Sequence, residues 1–290
     1  MNSVAIFGVG LIGGSFALAL RKAGFTGKIL GVSSEGTLRR ALDLGVIDAA
    51  ASAESAARQA DLVYLAQPVL AILDTLAALN DWVRPDALVT DAGSTKLAIV
   101  RKAAESLTKA QFLGGHPLAG KESRGLEAAD ADLFQGRTYV LTPRADSDLG
   151  THAVRQFKSW LERIGSVITV LGPEEHDRTV ALTSHLPQLA SIALSMLLAQ
   201  KDCIGTGAFG PGLLDSTRLA LSPYEVWADI LATNSSSIDQ ALSEYIGVLE
   251  ALRQDLTQPG MKEHFRSAAF LANRVRSAKS TAGFRPEFDL

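Results

Sequence analysis

Apolar residues follow two rhythms along the chain. Over the first half, short unbroken apolar runs at 4–7, 28–32, 61–66 and 87–90 alternate with segments of helical spacing at 14–23, 36–44, 69–79 and 95–107. Further strand-like runs follow at 111–114, 138–142 and 167–171. Strands separated by helices of roughly 10–15 residues make βαβ units, which predicts a parallel sheet covered on both faces. Beyond Gly172-Pro173 the strand-like runs cease. Helical patterns take over at 174–200, at 223–256 as one helix or two, and at 261–278, with Gly/Pro connections at 205–212 and 258–260 between them. The expected architecture is an α/β Rossmann-like N-terminal domain at 1–172, an all-α C-terminal domain at 173–280, and a loose tail at 281–290.

Composition narrows the class. Of 290 residues, 47% are apolar and 20% charged, which gives enough material for a substantial core and excludes a disordered or collagenous chain. A formal net charge of −3 argues against non-specific binding to nucleic acid. The single cysteine, Cys203, excludes an intramolecular disulfide and a thiolate-rich zinc site, and fits a reducing cytoplasm. The apolar stretch 4–20 has no basic leader and is interrupted by four glycines, so it does not read as an export signal. No membrane span is expected elsewhere.

Candidate chemistry begins at Gly8-Val-Gly10-Leu11-Ile12-Gly13, a G-x-G-x-x-G that follows a strand and opens a helix. That context marks a dinucleotide site. The first glycine allows a tight turn, the second lets backbone approach a pyrophosphate, and the third lets helix pack on strand. About 20 residues on, where an NAD site usually carries an acid, stands Ser33. Ser33 and Ser34 can donate to a 2′-phosphate, with Arg39 or Arg40 as a source of charge unless both are solvated. The balance favours NADP over NAD, with Glu35 still within reach of a ribose.

Polar clusters sit where a doubly wound sheet holds ligands. Asp91-Ala-Gly-Ser94-Thr-Lys96 follows one strand, and Ser94 either caps the next helix or faces a ligand. Gly114-Gly-His116-Pro117-Leu-Ala-Gly120 follows the next; its glycines admit a ligand or a backbone, and His116 is a candidate for acid/base work. In the helical half, Pro187 should kink its helix, and His185 and Gln188 share a face. Arg218 has the chemistry for a substrate carboxylate, or pairs with Asp215 three residues before it. Trp227 suits core packing or a pocket wall.

Taken together, Gly8–Gly14, Asp91–Lys96, Gly114–Gly120 with Glu122, Ser184–Pro187, Asp215–Arg218 and Trp227 resemble, in order and spacing, the prephenate/arogenate dehydrogenases of tyrosine biosynthesis. The likeness runs to about residue 278. It implies oxidative decarboxylation of prephenate to 4-hydroxyphenylpyruvate, or of arogenate to tyrosine, with hydride passing from ring C4 to NAD(P) and no metal required. By resemblance, His116 accepts the 4-hydroxyl proton, Ser94 hydrogen-bonds both His116 and that hydroxyl, and Arg218 grips a carboxylate. His185, Trp227, Glu122 and Asp215 line or gate the pocket. Two departures bear on substrate: Gln188 replaces the histidine that some prephenate-specific members carry, and Lys121 stands where some relatives have threonine.

The resemblance and the apolar helix at 189–198 also imply a homodimer formed through the helical half, unless a helical hairpin of that size is buried within one chain; the remaining length is expected to leave no room for a chorismate-mutase segment. A 3-hydroxyacid or pyrroline-carboxylate reductase shares this architecture, but a hydroxyacid enzyme is expected to carry a lysine on its interdomain helix, and 174–200 has none. A non-catalytic nucleotide-sensing module would keep the fold without Ser94, His116 and Arg218 as a set.

Overall fold

The computed structural model describes residues 1–201, 205 and 207–281. Cys203 and, apart from Thr281, the expected tail at 281–290 lie outside them. Strands β1 (Ser3–Phe7), β2 (Lys28–Val32), β3 (Ala49–Ala50), β4 (Leu62–Leu65), β5 (Leu88–Asp91), β6 (Gln111–Pro117), β7 (Thr138–Thr142) and β8 (Val167–Val170) form one sheet in the order β3-β2-β1-β4-β5-β6-β7-β8. The first six run parallel. Strand order reverses between β1 and β4, the switch point at which doubly wound sheets hold ligands.

Two apolar layers sandwich the sheet. On one face α1 (Leu11–Lys22) and α6 (His152–Arg163) bury Phe16, Leu20, Val154, Phe157 and Leu161, joined by Ala41 from α2 (Glu35–Asp43). On the other, α3 (Ala53–Gln59), α4 (Val69–Leu79) and α5 (Leu97–Ser106) bury Ala56, Ile72, Leu76, Ile99 and Ala103. This is the Rossmann-like domain that the strand–helix alternation predicts.

The sheet departs from the expected pattern at its far edge. β7 runs antiparallel to β6, because the connection 118–137 holds only a 3₁₀ turn, Leu126–Ala128, and no crossover helix. β6 also extends past the expected 111–114, so that His116 lies in the strand, opposite Val140, instead of following it. A Cβ at Gly115 would sit 2.6 Å from the Asp91 carbonyl oxygen, and one at Gly114 would collide with Thr142 Oγ1. The glycine pair admits neighbouring backbone and side chain here, not a ligand. Elements β3, α3 and α6 have no counterpart in the predicted pattern.

From Pro173 onward the described elements are helical: α7 (Pro173–Val180), a π-helical turn (Ala181–His185), α8 (Leu186–Lys201), α9 (Pro211–Thr217), a 3₁₀ turn (Arg218–Leu221), α10 (Tyr224–Thr233), α11 (Ser235–Gln254) and α12 (Met261–Thr281). The expected kink at Pro187 takes the form of the widened turn before it, where Leu186 N–H donates to Ala181 O. Pro187 has no N–H and its ring crowds the preceding turn, so i→i+5 bonding relieves the clash.

The two halves are joined by carboxylates at helix starts. Neither α4 nor α5 has a side-chain N-cap of its own. Asp229 of α10 accepts from Leu70 N at 3.0 Å, and Asp177 of α7 accepts from Lys96 N at 2.7 Å and Leu97 N at 2.9 Å. Each anion therefore meets the positive end of a helix across the junction. The hydroxyls of Thr95 and Thr233 add a bond of 2.8 Å beside them.

Candidate active site

The glycine loop has the shape of a dinucleotide cradle. Gly8 has φ +89°, and a Cβ there would meet Ala66 O at 2.7 Å, so the turn requires glycine. A Cβ at Gly13 would collide with the Gly8 carbonyl, which is what lets α1 seat on β1. At Gly10, by contrast, an added Cβ would meet nothing within 4 Å, and no side chain caps the start of α1. Open space in front of unclaimed helix N–H groups fits a pyrophosphate. Leu11 and Ile12 begin the helix, partly buried against the core. Ser33 and Ser34 lie exposed past the end of β2; Ser34 Oγ meets Thr37 Oγ1 at 2.9 Å, and Arg39 is ion-paired with Glu35. Arg40 reaches Glu127 at 3.9 Å.

At the carboxyl ends of β5 and β6 lies a buried polar cluster. Lys96, fully buried, pairs with Asp91 and donates to Gly115 O at 2.8 Å. Asp91 in turn accepts from Gly93 N at 2.8 Å and Gly115 N at 3.1 Å. Burial pulls the Lys96 ammonium below its ordinary pKa, against the opposing pull of Asp91. The ion pair thus pins the two strand ends together and fixes the backbone on which His116 is carried.

His116 is partly accessible, and its Nδ1 lies 2.8 Å from His176 Nε2. His176 Nδ1 lies 2.8 Å from Asp177 Oδ1. Burial, then the neighbouring His176, Lys96 and His185, hold the His116 imidazole well below the usual histidine pKa. It is therefore neutral at pH 7 and can accept a proton. His185, almost fully buried, is pushed down to about 4 chiefly by burial, with Asp177 opposing and His176 adding to the shift. Its ring meets Trp227 edge-on at 5.8 Å between centroids, and its Nδ1 lies 3.4 Å from Asn234 Nδ2.

Trp227 opens onto a cavity of about 480 Å³ that Lys121, Glu122, Gln188 and Arg218 also line. Arg218 lies 3.6 Å from Glu122, and both are largely exposed. Gln188 is 2% exposed and donates from Nε2 to Leu219 O at 2.8 Å. Lys121 pairs with Asp130 at 2.9 Å, and Trp227 Nε1 donates to Ser222 Oγ at 2.9 Å.

Two family models cover nearly all of this architecture: "Prephenate dehydrogenase, nucleotide-binding domain" over residues 16–170 and "Prephenate dehydrogenase, dimerization domain" over 172–268. The chain belongs to the prephenate dehydrogenase family. It is 34% identical to prephenate dehydrogenase of Bacillus subtilis over 91% of this chain and 73% of that one. It is 33% identical to cyclohexadienyl dehydrogenase of Zymomonas mobilis, over 91% and 93%. Among solved structures it superposes on prephenate dehydrogenase of Aquifex aeolicus, in complex with hydroxyphenyl propionate and NAD+, with a TM-score of 0.87, 31% identity and coverage of 95% and 98%. This prephenate dehydrogenase family member is accordingly an oxidoreductase with a domain for a nicotinamide cofactor.

Its geometry differs from the expected site at several residues. Among the described residues no hydrogen bond joins Ser94 to His116; the imidazole is held by His176. Nor does Ser94 cap α5, since Asp177 accepts from the N–H groups there. Arg218 pairs with Glu122 instead of Asp215, which is exposed on α9. His176, Asp177 and Asn234 join this buried polar network without having been expected there. Their one signal was two adjacent polar residues, His176 and Asp177, that prove fully buried or nearly so on a helix expected to show polar positions to water.

Proposed function

We propose that this enzyme oxidises and decarboxylates prephenate, arogenate or both, with His116 as the base and Arg218 as the carboxylate grip. The observation that carries the reading is the His116 ring: neutral, at the carboxyl end of β6, with Nδ1 tied into the protein and Nε2 unengaged among the described residues. Bound nicotinamide supplies the hydride acceptor. His116 Nε2 takes the proton of the ring hydroxyl as its carbon loses hydride and becomes carbonyl-like. When the ring carboxylate leaves as carbon dioxide, its bonding electrons complete the aromatic ring. His116 then returns the proton to the oxygen, now a phenol. The base borrows a proton and gives it back.

Gln188 bears on the choice of substrate. Leu219 O is an acceptor, so one N–H of the Gln188 amide is committed to it, and among the described residues the carbonyl oxygen meets no donor and is left to accept. An acceptor there suits the ammonium of arogenate better than the keto oxygen of prephenate. Arogenate should therefore be used at least as efficiently as prephenate. NADP is favoured over NAD, because Ser33 and Ser34 present hydroxyls where a carboxylate would repel a 2′-phosphate. The Arg39–Glu35 pair is exposed and cheap to open.

A homodimer through the helical half completes the reading. The rod Pro173–Lys201 is long and apolar enough to cross a membrane by composition, yet only 28% of its apolar window is buried within the chain. A second copy covering α8, α11 and α12 accounts for that surface, in keeping with the dimerization-domain match. The testing experiment is a two-by-two assay, each substrate with each cofactor, followed by reduced-nicotinamide absorbance. The expected result is turnover, with kcat/KM for arogenate matching or exceeding that for prephenate and the higher value with NADP. No turnover in any of the four combinations would overturn the reading.

A further inference from the structure

We infer that His176 and Asp177 are positioning residues for the base: through the chain Asp177–His176–His116 they hold His116 in the tautomer with its proton on Nδ1, leaving Nε2 as the proton acceptor. This rests on the reading of His116 as the base.

The argument is one of donors and acceptors. Three donors converge on the Asp177 carboxylate: Lys96 N at 2.7 Å, Leu97 N at 2.9 Å and His176 Nδ1 at 2.8 Å. A carboxylate accepts, so His176 must carry its proton on Nδ1. In the neutral form on which the inference rests, the His176 ring has one N–H, spent on Asp177, which leaves Nε2 as an acceptor. Among the described residues, the partner that can supply the proton is His116 Nδ1, 2.8 Å away. Once His116 Nδ1 is a donor, the lone pair of the neutral ring is on Nε2, the nitrogen with no partner among the described residues. The chain reads in one direction only because it is anchored by an anion that is itself locked onto the start of α5.

Electrostatics follow the same line. The groups facing His116 are Lys96 before α5, His176 on α7 and His185 in the π-helical turn; Lys96 is the standing cation, and either ring would oppose a positive charge on His116 once protonated itself. Asp177 is the counterweight, reaching the ring through His176. The imidazolium formed in the reaction would otherwise stand beside the Lys96 ammonium in a largely buried site. The arrangement parallels an acid that orients a catalytic imidazole in a hydrolase triad, with a second imidazole inserted between them.

Two measurements test this. The first needs no activity. In a ¹⁵N-histidine spectrum of the whole protein near pH 7, five rings are expected from five histidines, and His116, assigned by its loss in His116→Asn, should show a protonated Nδ1 and a bare Nε2. An Nε2–H tautomer for His116 would overturn the inference. The second is kinetic. His176→Leu should lower kcat by roughly 10²-fold, within the range for a compromised general base, with KM changed less than about twofold. The acid limb of its kcat/KM profile should move, because the His116 ring loses both its His176 neighbour and its link to Asp177. His176→Gln keeps an acceptor near the lost Nε2 and should recover most of the rate. A folded His176→Leu enzyme with wild-type kcat and pH profile, alongside an inactive His116→Asn, would sink the positioning role and leave the base intact. Full activity of His116→Asn would instead sink the reading of the base.

Discussion

At the scale of single residues, burial decides the chemistry more than residue type does. His116 and His185 are both held below the ordinary imidazole pKa, His185 at about 4, and in each case burial is the largest cause. In the unfolded chain these rings take a proton near 6.5; in the folded chain they resist it. Below about pH 6.5 the folded state binds fewer protons, so their contribution to stability is whole above that pH and is lost as pH falls below it, toward about 4 in the case of His185. His116→Asn removes one resisting ring and also the base. It should lower kcat by roughly 10²–10⁴-fold and should shrink the drop in Tm between about pH 7 and about pH 5. An unchanged acid sensitivity would mean that His116 is not depressed in the folded state. The candidate His116 was legible because Gly-Gly and Pro flank it at a strand end. Its partner was not, because the contact spans 60 residues and His176 reads locally as one polar position on a helix. Ser94 shows the opposite failure: a residue in a suggestive motif whose expected bond is made by another side chain.

At the scale of elements, the strand–helix alternation was readable wherever a single apolar run or face carried the signal, and failed where geometry depended on a distant partner. α6 has Val154, Phe157 and Leu161 on one buried stripe and Thr151 accepting from Val154 N, so its signal was present and went unassigned. β3 is two residues long, too short for any period to show. The reversed direction of β7 could not be read from its residues at all. It follows from the missing helix in 118–137, and that same irregular connection carries Lys121 and Glu122 to the cavity. The glycines of β6 register the crowding that results. Gly114→Ala should destabilise the enzyme by about 1–3 kcal/mol, the usual cost of overpacking, because its methyl would collide with Thr142 Oγ1. Thr142 Oγ1 is buried and makes no hydrogen bond, so Thr142→Ala should cost little alone and should restore much of the loss in the double variant. Chemical denaturation of the four proteins measures the coupling, and simple additivity of the two changes would remove the steric explanation.

At the scale of the whole molecule, the two halves are unequally built. Two extended apolar layers flank the sheet, whereas among the described residues the buried apolar cluster of the helical half is Ala181, Ile230, Ile238 and Ala241, with partly buried Leu186, Leu189, Trp227, Leu231 and Leu242 packed against it. Large side chains stay exposed along the later helices, among them Met196 and Leu197 on α8, Leu249 on α11 and Phe270 on α12. A helical unit with so small a core gains little from folding alone; what holds it is the pair of carboxylate caps on α4 and α5 and, in the proposed dimer, a second copy. Stability of the helical half should then depend on protein concentration, since a partner that binds only the folded form raises Tm by mass action. Wild-type enzyme is expected to sediment as a dimer at micromolar concentration. Leu249→Asp combined with Phe270→Glu should give a monomer that melts in two steps, the helical half first, with the sheet domain near its original Tm. Because α7 carries His176 and Asp177 and is continuous through the π-helical turn with α8, loosening the dimer should also lower kcat. A monomeric wild-type enzyme with full turnover would refute the dimer, and with it any dependence of the base on the second subunit.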